Sequence, residues 1–220
     1  MNTYELKRVP MFPLGLVLLP RMPLPLHIFE DRYKQMTERC IENDETFGVL
    51  LHTGSTVQTV GCLATIDSVI NTYDDGRMDI LAVGTERFSV VTMYEERPVL
   101  EADIEIFHDN PLDPSSAAEI ERLAHDAIGD LQEFAATAGY TIDDQLVQEL
   151  DTEELSFLLA TTDVFSTEEK QQLLEMRSTP DRMVRAGRAL GASKERLTMT
   201  KKIRELLGKE SDEDITHLFN

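Results

Sequence analysis

His27 and Glu30 lie three residues apart, a spacing that would set two metal ligands on one face of a helix. No third ligand type sits near them, so the expectation is a partly buried imidazole beside a carboxylate at a helix start, with no metal. His52, His108, His125 and His217 adjoin no serine or cysteine in a nucleophile motif, and neither Gly-x-Ser-x-Gly nor His-Glu-x-x-His occurs. The acidic pairs Asp143-Asp144 and Glu153-Glu154 fall at expected helix starts, where capping explains them better than acid–base catalysis. Cys40 and Cys62 have no partner at metal-ligand spacing, and two thiols build no disulfide framework. Buried free thiols in a reducing cytosol are expected. The residue types thus predict no catalytic centre and no cofactor.

Side chains suited to binding are easier to name. Arg21-Met22 sits between prolines in an expected bend, and methionine adapts well at contact surfaces. Tyr73, Met78, Met93 and Tyr94 fall on or beside strand ends, where they could line a peptide groove between two halves of the molecule. Core or rim packing is the competing reading for each of them. Glu30, Arg32 and Tyr33 are expected to be architectural, clamping the preceding stretch to a helix.

That stretch, residues 11–33, is almost wholly apolar but broken by Pro13, Pro20, Pro23 and Pro25. Each ring removes a backbone donor and crowds the preceding turn, so short extended pieces joined by bends are expected. Tyr33, Met36, Cys40 and Ile41 then recur at helical spacing, and Asn43-Asp44-Glu45 supplies a stop. Strands are expected over 46–52, 60–72, 77–83, 87–94 and 99–107, with a hairpin at Asp74-Asp75-Gly76 and a second turn at Gly84-Thr-Glu86. In the last strand Leu100, Ala102, Ile104 and Ile106 alternate with Glu101, Asp103 and Glu105, which predicts one dry and one wet face.

Composition breaks at Asp109-Asn-Pro-Leu-Asp-Pro114, and helical patterns follow. Ser116-Ala-Ala-Glu119 and Ser166-Thr-Glu-Glu169 read as capping boxes, and Gly139 as a helix stop. Thr179-Pro180 reads as a cap with proline opening the helix. The expected organisation is α+β: a β-rich half over 1–108, a helical half over 109–205, and an acidic tail over 206–220.

The chain has 220 residues and a formal net charge of -20, which repels phosphate backbones and anionic membranes. The run 11–26 is too short and too broken to span a bilayer, and no small-residue cleavage site follows it. A soluble cytoplasmic protein is expected.

Several spaced motifs together resemble a known family. Pro13-Leu-Gly-Leu-Val-Leu-Leu-Pro20 with Leu24-Pro-Leu-His-Ile-Phe-Glu-Asp-Arg-Tyr33 resembles the N-terminal substrate-binding domain of the ATP-dependent protease Lon. Phe47-Gly-Val-Leu-Leu51, Val60-Gly-Cys-Leu-Ala-Thr-Ile66, Asp75-Gly-Arg77, Val83-Gly-Thr-Glu-Arg-Phe88, Lys170-Gln-Gln-Leu-Leu-Glu175 and Arg182-Met-Val184 extend the likeness over roughly residues 9 to 190. The resemblance implies a PUA-like β pseudo-barrel followed by an α-helical bundle. It also implies recognition of unfolded or extended protein segments, in the company of a protease or chaperone. No Gly-x-x-x-x-Gly-Lys-Ser/Thr loop or serine–lysine protease module is present, so the chain is similar to stand-alone bacterial members and ATP hydrolysis is not expected of it. Strand addition is the expected mode if an apolar sheet edge lies open. The alternative is a small-molecule sensor or minor hydrolase using the cleft between the halves.

Overall fold

The computed structural model describes residues 6–54 and 56–206. The acidic tail therefore lies outside the described residues, apart from its first position.

The prolyl stretch forms two strands joined by a bend, β1 (Lys7–Leu14) and β2 (Pro23–Ile28). Helix α1 (Asp31–Asn43) follows and buries Tyr33, Met36, Thr37 and Cys40, the i, i+3, i+4, i+7 stripe of an amphipathic helix. It ends at Asp44, whose left-handed backbone lets its N–H close on the Cys40 carbonyl. Four strands follow: β3 (Phe47–Thr53), β4 (Thr56–Thr72), β5 (Met78–Tyr94) and β6 (Glu101–Ile106). A 3-10 turn at Pro114–Ser116 leads into α2 (Ala117–Ala138), α3 (Asp144–Gln148), α4 (Thr152–Thr161), α5 (Thr167–Glu175) and α6 (Thr179–Leu206).

The strands make one mixed sheet in the order β2-β5-β4-β3-β1-β6, and β6 also pairs with β5. The pairings therefore run in a closed ring through β5, β4, β3, β1 and β6, with β2 attached outside it. Val9, Met11, Leu50, Leu63, Phe88, Ala102 and Ile104 fill that ring. The alternate residues Phe12, Phe47, Val49, Cys62 and Ala64 face the other way, into a second core shared with α1 and the helical half. Burial on both faces is why 47–51 reads as an unbroken apolar run. Phe12 stacks on Tyr33 at 4.1 Å, which fastens the prolyl stretch to α1. Glu30 caps α1 by backbone position and pairs with Arg32 at 2.7 Å. Arg32 lies over the Tyr33 ring.

Three expectations need correction. Residues 84–86 do not reverse the chain: β5 continues through them, with a break in its register against residues 62–64 of β4. Gly84 is there for close approach instead, since a Cβ would meet the Leu19 carbonyl oxygen at 2.3 Å. The box at Ser116 does not form either; Asp113 accepts from the Ser115 N–H and the chain enters α2 through the 3-10 turn. In β6 the outward face is not uniformly wet, because Glu101 is buried and takes the Arg97 guanidinium at 2.8 Å. The boxes at Asp151/Glu154 and Ser166/Glu169 do close, and Gly139 stops α2 at φ 87°. Helix α6 runs parallel to α2, with Lys194 on Glu133 and the Lys201 ammonium on the Thr137 carbonyl.

Replacing Gly84 by alanine pushes a methyl into backbone, which cannot rotate away. The expected loss is about 1–3 kcal/mol of folding stability, measured as a lower urea midpoint; an unchanged midpoint would contradict the close approach.

Candidate functional site

The side chains richest in chemistry converge where strands meet helices. Arg87 on β5 and Arg182 on α6 both hold Asp109, which lies in the connecting segment. Arg87 reaches its carboxylate at 2.5 Å and Arg182 at 2.7 Å. Thr179 donates to the same group at 2.5 Å. Arg182 is 0 % exposed and also donates to Ser156 Oγ and to the Met176 carbonyl. Arg87 donates to the Leu174 and Met176 carbonyls. Those carbonyls belong to the open C-terminal end of α5, which has no following turn to satisfy it. The Phe157 ring lies against both guanidinium groups, at 3.9 Å from Arg182 and 5.1 Å from Arg87.

Burial pushes the Asp109 carboxyl up, but the bonds from Arg182 and Thr179 and the two positive charges outweigh it and hold it below the usual carboxylate range. Burial pulls Arg87 down. The buried charges of Arg87, Asp109 and Arg182 are spent on one another, with the partly exposed Glu153 at 3.4 Å from Arg87, so the cluster is a structural joint. The thiols are also inert: burial pushes Cys40 up to about 11 and Cys62 to about 12. Among the described residues no group of three His, Cys, Asp or Glu side chains could hold a metal ion.

Beside the joint lies a cleft of ≈ 200 Å³ between the halves, lined in part by Arg21, Glu86, Phe107, His108 and Glu154. Arg21 spans it, at 2.9 Å from Glu154, from a bend where its own φ is 64°. That bend is pinned to β5 by Arg21 N–H on the Gly84 carbonyl and Gly84 N–H on the Met22 carbonyl. Met22 is half-buried against the main core.

The other candidate contacts do not join Arg21. Met78 is buried at 6 % exposure on the core face of β5, because residues 78, 80 and 82 all point inward; as a contact residue it is corrected. Met93 is half-buried against the ring core, and Tyr94 is half-buried with its hydroxyl on Asp103 and its ring under Arg8. Tyr73 lies at the opposite end of the hairpin. Its hydroxyl donates to Asp79 at 2.7 Å, and the other oxygen of that carboxylate holds His27 Nδ1 at 2.6 Å. His27 and Glu30 do not share a helix face: one is in β2, the other precedes α1. Phe29, 61 % exposed, stacks beside His27. Sequence reasoning missed Phe29, although the alternation of Leu24, Leu26 and Ile28 inward already places 25, 27 and 29 outward.

Neither free sheet edge is regular. On the outer strand β2, Pro23 and Pro25 stand in the register with no N–H to offer an incoming strand. On the other side, no described strand pairs with residues 65–72 of β4 beyond β5, but bulges at 66/68 and 69/71 break its register. Strand addition is therefore not favoured by either edge.

A mixed six-stranded sheet shares its outer core with α1 and the helical half, and buried arginines tie the strands to the helices. The profile of the ATP-dependent protease La (LON) substrate-binding domain matches residues 8–190, and the chain belongs to that family. It is 24% identical over 229 residues to Lon protease 2 of Herpetosiphon aurantiacus, covering 99% of this chain and 27% of that one. It is 25% identical over 205 residues to Lon protease of Paraburkholderia phytofirmans, covering 86% and 24%. The chain thus spans about a quarter of the length of these relatives. Among solved structures, a Lon N-terminal domain protein from Xanthomonas campestris superimposes with a TM-score of 0.60 at 21% identity, covering 81% of this chain and 96% of that one. The N-terminal domain of Mycobacterium avium complex Lon protease gives 0.65 at 15% identity, covering 84% and 98%. These likenesses establish the α+β fold, and the matched family is that of the Lon substrate-binding domain.

Changing Asp109 to asparagine leaves Arg182 without an anion and Arg87 with only the outer carboxylate of Glu153 at 3.4 Å, with an expected cost of about 3–5 kcal/mol. Because the carboxyl is depressed in the fold, its contribution is complete above the ordinary pKa of about 4 and is lost as pH falls through the lower native value. The native protein should therefore lose stability more steeply below about pH 4 than the variant does. Parallel acid profiles, or an unchanged urea midpoint, would contradict the role given to Asp109.

Proposed function

We propose that this chain is a non-catalytic recognition module for unfolded or extended protein segments, acting in the cytosol for a protease or chaperone. The observation that carries this reading is the family match over residues 8–190. The chemistry of the molecule supports it. Arg87, Asp109 and Arg182 are spent on the joint between strands and helices, Glu101 is paired with Arg97, and burial holds both thiols in the protonated form. Among the described residues no helix is long and apolar enough to cross a membrane. A strand-rich subdomain over 1–108 and a helical one over 109–205 are the organisation we assign to this module.

The irregular edges favour recognition through side chains over recognition through a backbone ladder. Exposed apolar side chains such as Phe29, Ile70 and Val91 are available for it on the strand-rich half. Arg21, Met22, Tyr73, Met93 and Tyr94 remain proposed contacts; of these, Arg21 and Tyr73 are the most accessible. The small-molecule alternative is weaker, because the ≈ 200 Å³ cleft is smaller than the ~300–1,000 Å³ of ordinary ligand sites and is already bridged by Arg21 and Glu154.

Fluorescence anisotropy with a labelled protein held unfolded by reduction and amidomethylation tests the proposal. Saturable binding is expected for the unfolded form and none for its native counterpart. No saturable binding, or equal binding of both forms, would overturn it.

A further inference from the structure

The outer surface where β2 meets the β4–β5 hairpin carries a feature that neither the core nor the joint uses. Three rings lie in a row. Phe29 and His27 stack with centroids 6.1 Å apart, and His27 meets the Tyr73 ring edge-on at 5.9 Å. All three are exposed at the residue level. Asp79 sits beneath the row and fixes it, one carboxylate oxygen on His27 and the other on the Tyr73 hydroxyl. Exposed aromatic side chains are normally free to rotate; here two of the three are held by the same carboxylate, which makes a preorganised surface.

The charge around the row is one-sided. The hairpin segment 73–79 contains Asp74, Asp75 and Asp79 against a single cation, Arg77. Arg77 is itself held by Asp75 at 2.7 Å and lies over the Tyr73 ring at 5.0 Å. The neighbouring Lys34 is engaged by Asp31 and by the Asp75 carbonyl. The Arg77–Tyr73 contact shows that a guanidinium can already rest on this row from one side. The Asp79 carboxyl is held below its usual range by its bonds to His27 and Tyr73, so the negative charge persists at neutral pH.

We propose that this row is a docking surface for an extended protein segment that presents an arginine or lysine beside an apolar residue. The cation lies against the electron-rich ring faces and the hairpin carboxylates, and the apolar neighbour covers Phe29. This rests on the reading of the chain as a module for protein segments, and it specifies the chemistry that such a segment must carry. Charge complementarity decides the occupant: a chain of net charge -20 with three hairpin carboxylates repels an acidic segment.

The test uses the full chain and two short labelled peptides that differ only in a central arginine or glutamine next to leucine. Phe29→Ala is compared with Tyr140→Ala, which removes an equally exposed aromatic ring elsewhere. The arginine peptide is expected to bind more tightly than the glutamine peptide, with the difference shrinking as salt rises. Phe29→Ala is expected to weaken the arginine peptide by roughly 2- to 5-fold, the scale of about one methylene of the leucine losing its apolar cover. Tyr140→Ala is expected to leave it unchanged. Circular dichroism of both variants confirms that they fold. Binding that is indifferent to the cation or to Phe29 overturns this surface and leaves the recognition reading standing. Failure of both peptides and of the unfolded protein overturns both.

Discussion

The buried ion pairs that join strands to helices meet on one carboxylate. Asp109 sits in the segment between the last strand and the first helix of the back half, and it is gripped by arginines from both sides. The two guanidinium groups do more than neutralise it. They also satisfy the Leu174 and Met176 carbonyls at the end of α5, and they flank one phenyl ring, Phe157. An apolar core at the same place could be equally stable, since desolvating three ions costs several kcal/mol each before their attraction is counted. What such a core lacks is direction. Hydrogen bonds of fixed geometry from β5 and α6 to one carboxylate leave the helical half a single way to sit on the sheet.

The same constraint shapes the outer surfaces. Because β5 runs unbroken from the hairpin tip to the ring, the joint at Arg87 and the aromatic row near Asp79 belong to one strand. Gly84 lies between them and holds the Arg21 bend against that strand. The proposed docking surface on β2 and the hairpin is thus carried by a continuous strand, which keeps the ordering cost of docking low. The two free edges are blunted by different means, prolines on β2 and bulges on β4, which limits uncontrolled pairing with other strands.

Much of this architecture is legible in the sequence. Proline spacing predicts short extended pieces joined by bends; Asp74-Asp75-Gly76 predicts the hairpin; Ser166 and Glu169 predict a helix start. These succeed because the physics is local. Gly84 misleads because glycine marks either a turn or a close approach, and only the position of Leu19 in space decides. Asp109 is hidden for a similar reason. It stands in a turn-rich segment where an aspartate needs no explanation, and its partners are 22 and 73 residues away. A hint was present, since Arg87 and Arg182 each fall within a motif that carries the family resemblance, which marks those motifs as architecture. Met78 and Phe29 show the other limit: alternation places one inward and the other outward only once the strand boundaries are fixed.

If the Arg87–Asp109–Arg182 joint makes strands and helices one cooperative body, the two halves must open together. Native-state hydrogen exchange at increasing denaturant reads this directly, amide by amide. The expected result is that the slowest amides of β4 and β5 and those of α4 and the first half of α6 merge into one opening with a common free energy and denaturant slope. A lower-energy opening that releases the helical amides while the strands stay protected would contradict it.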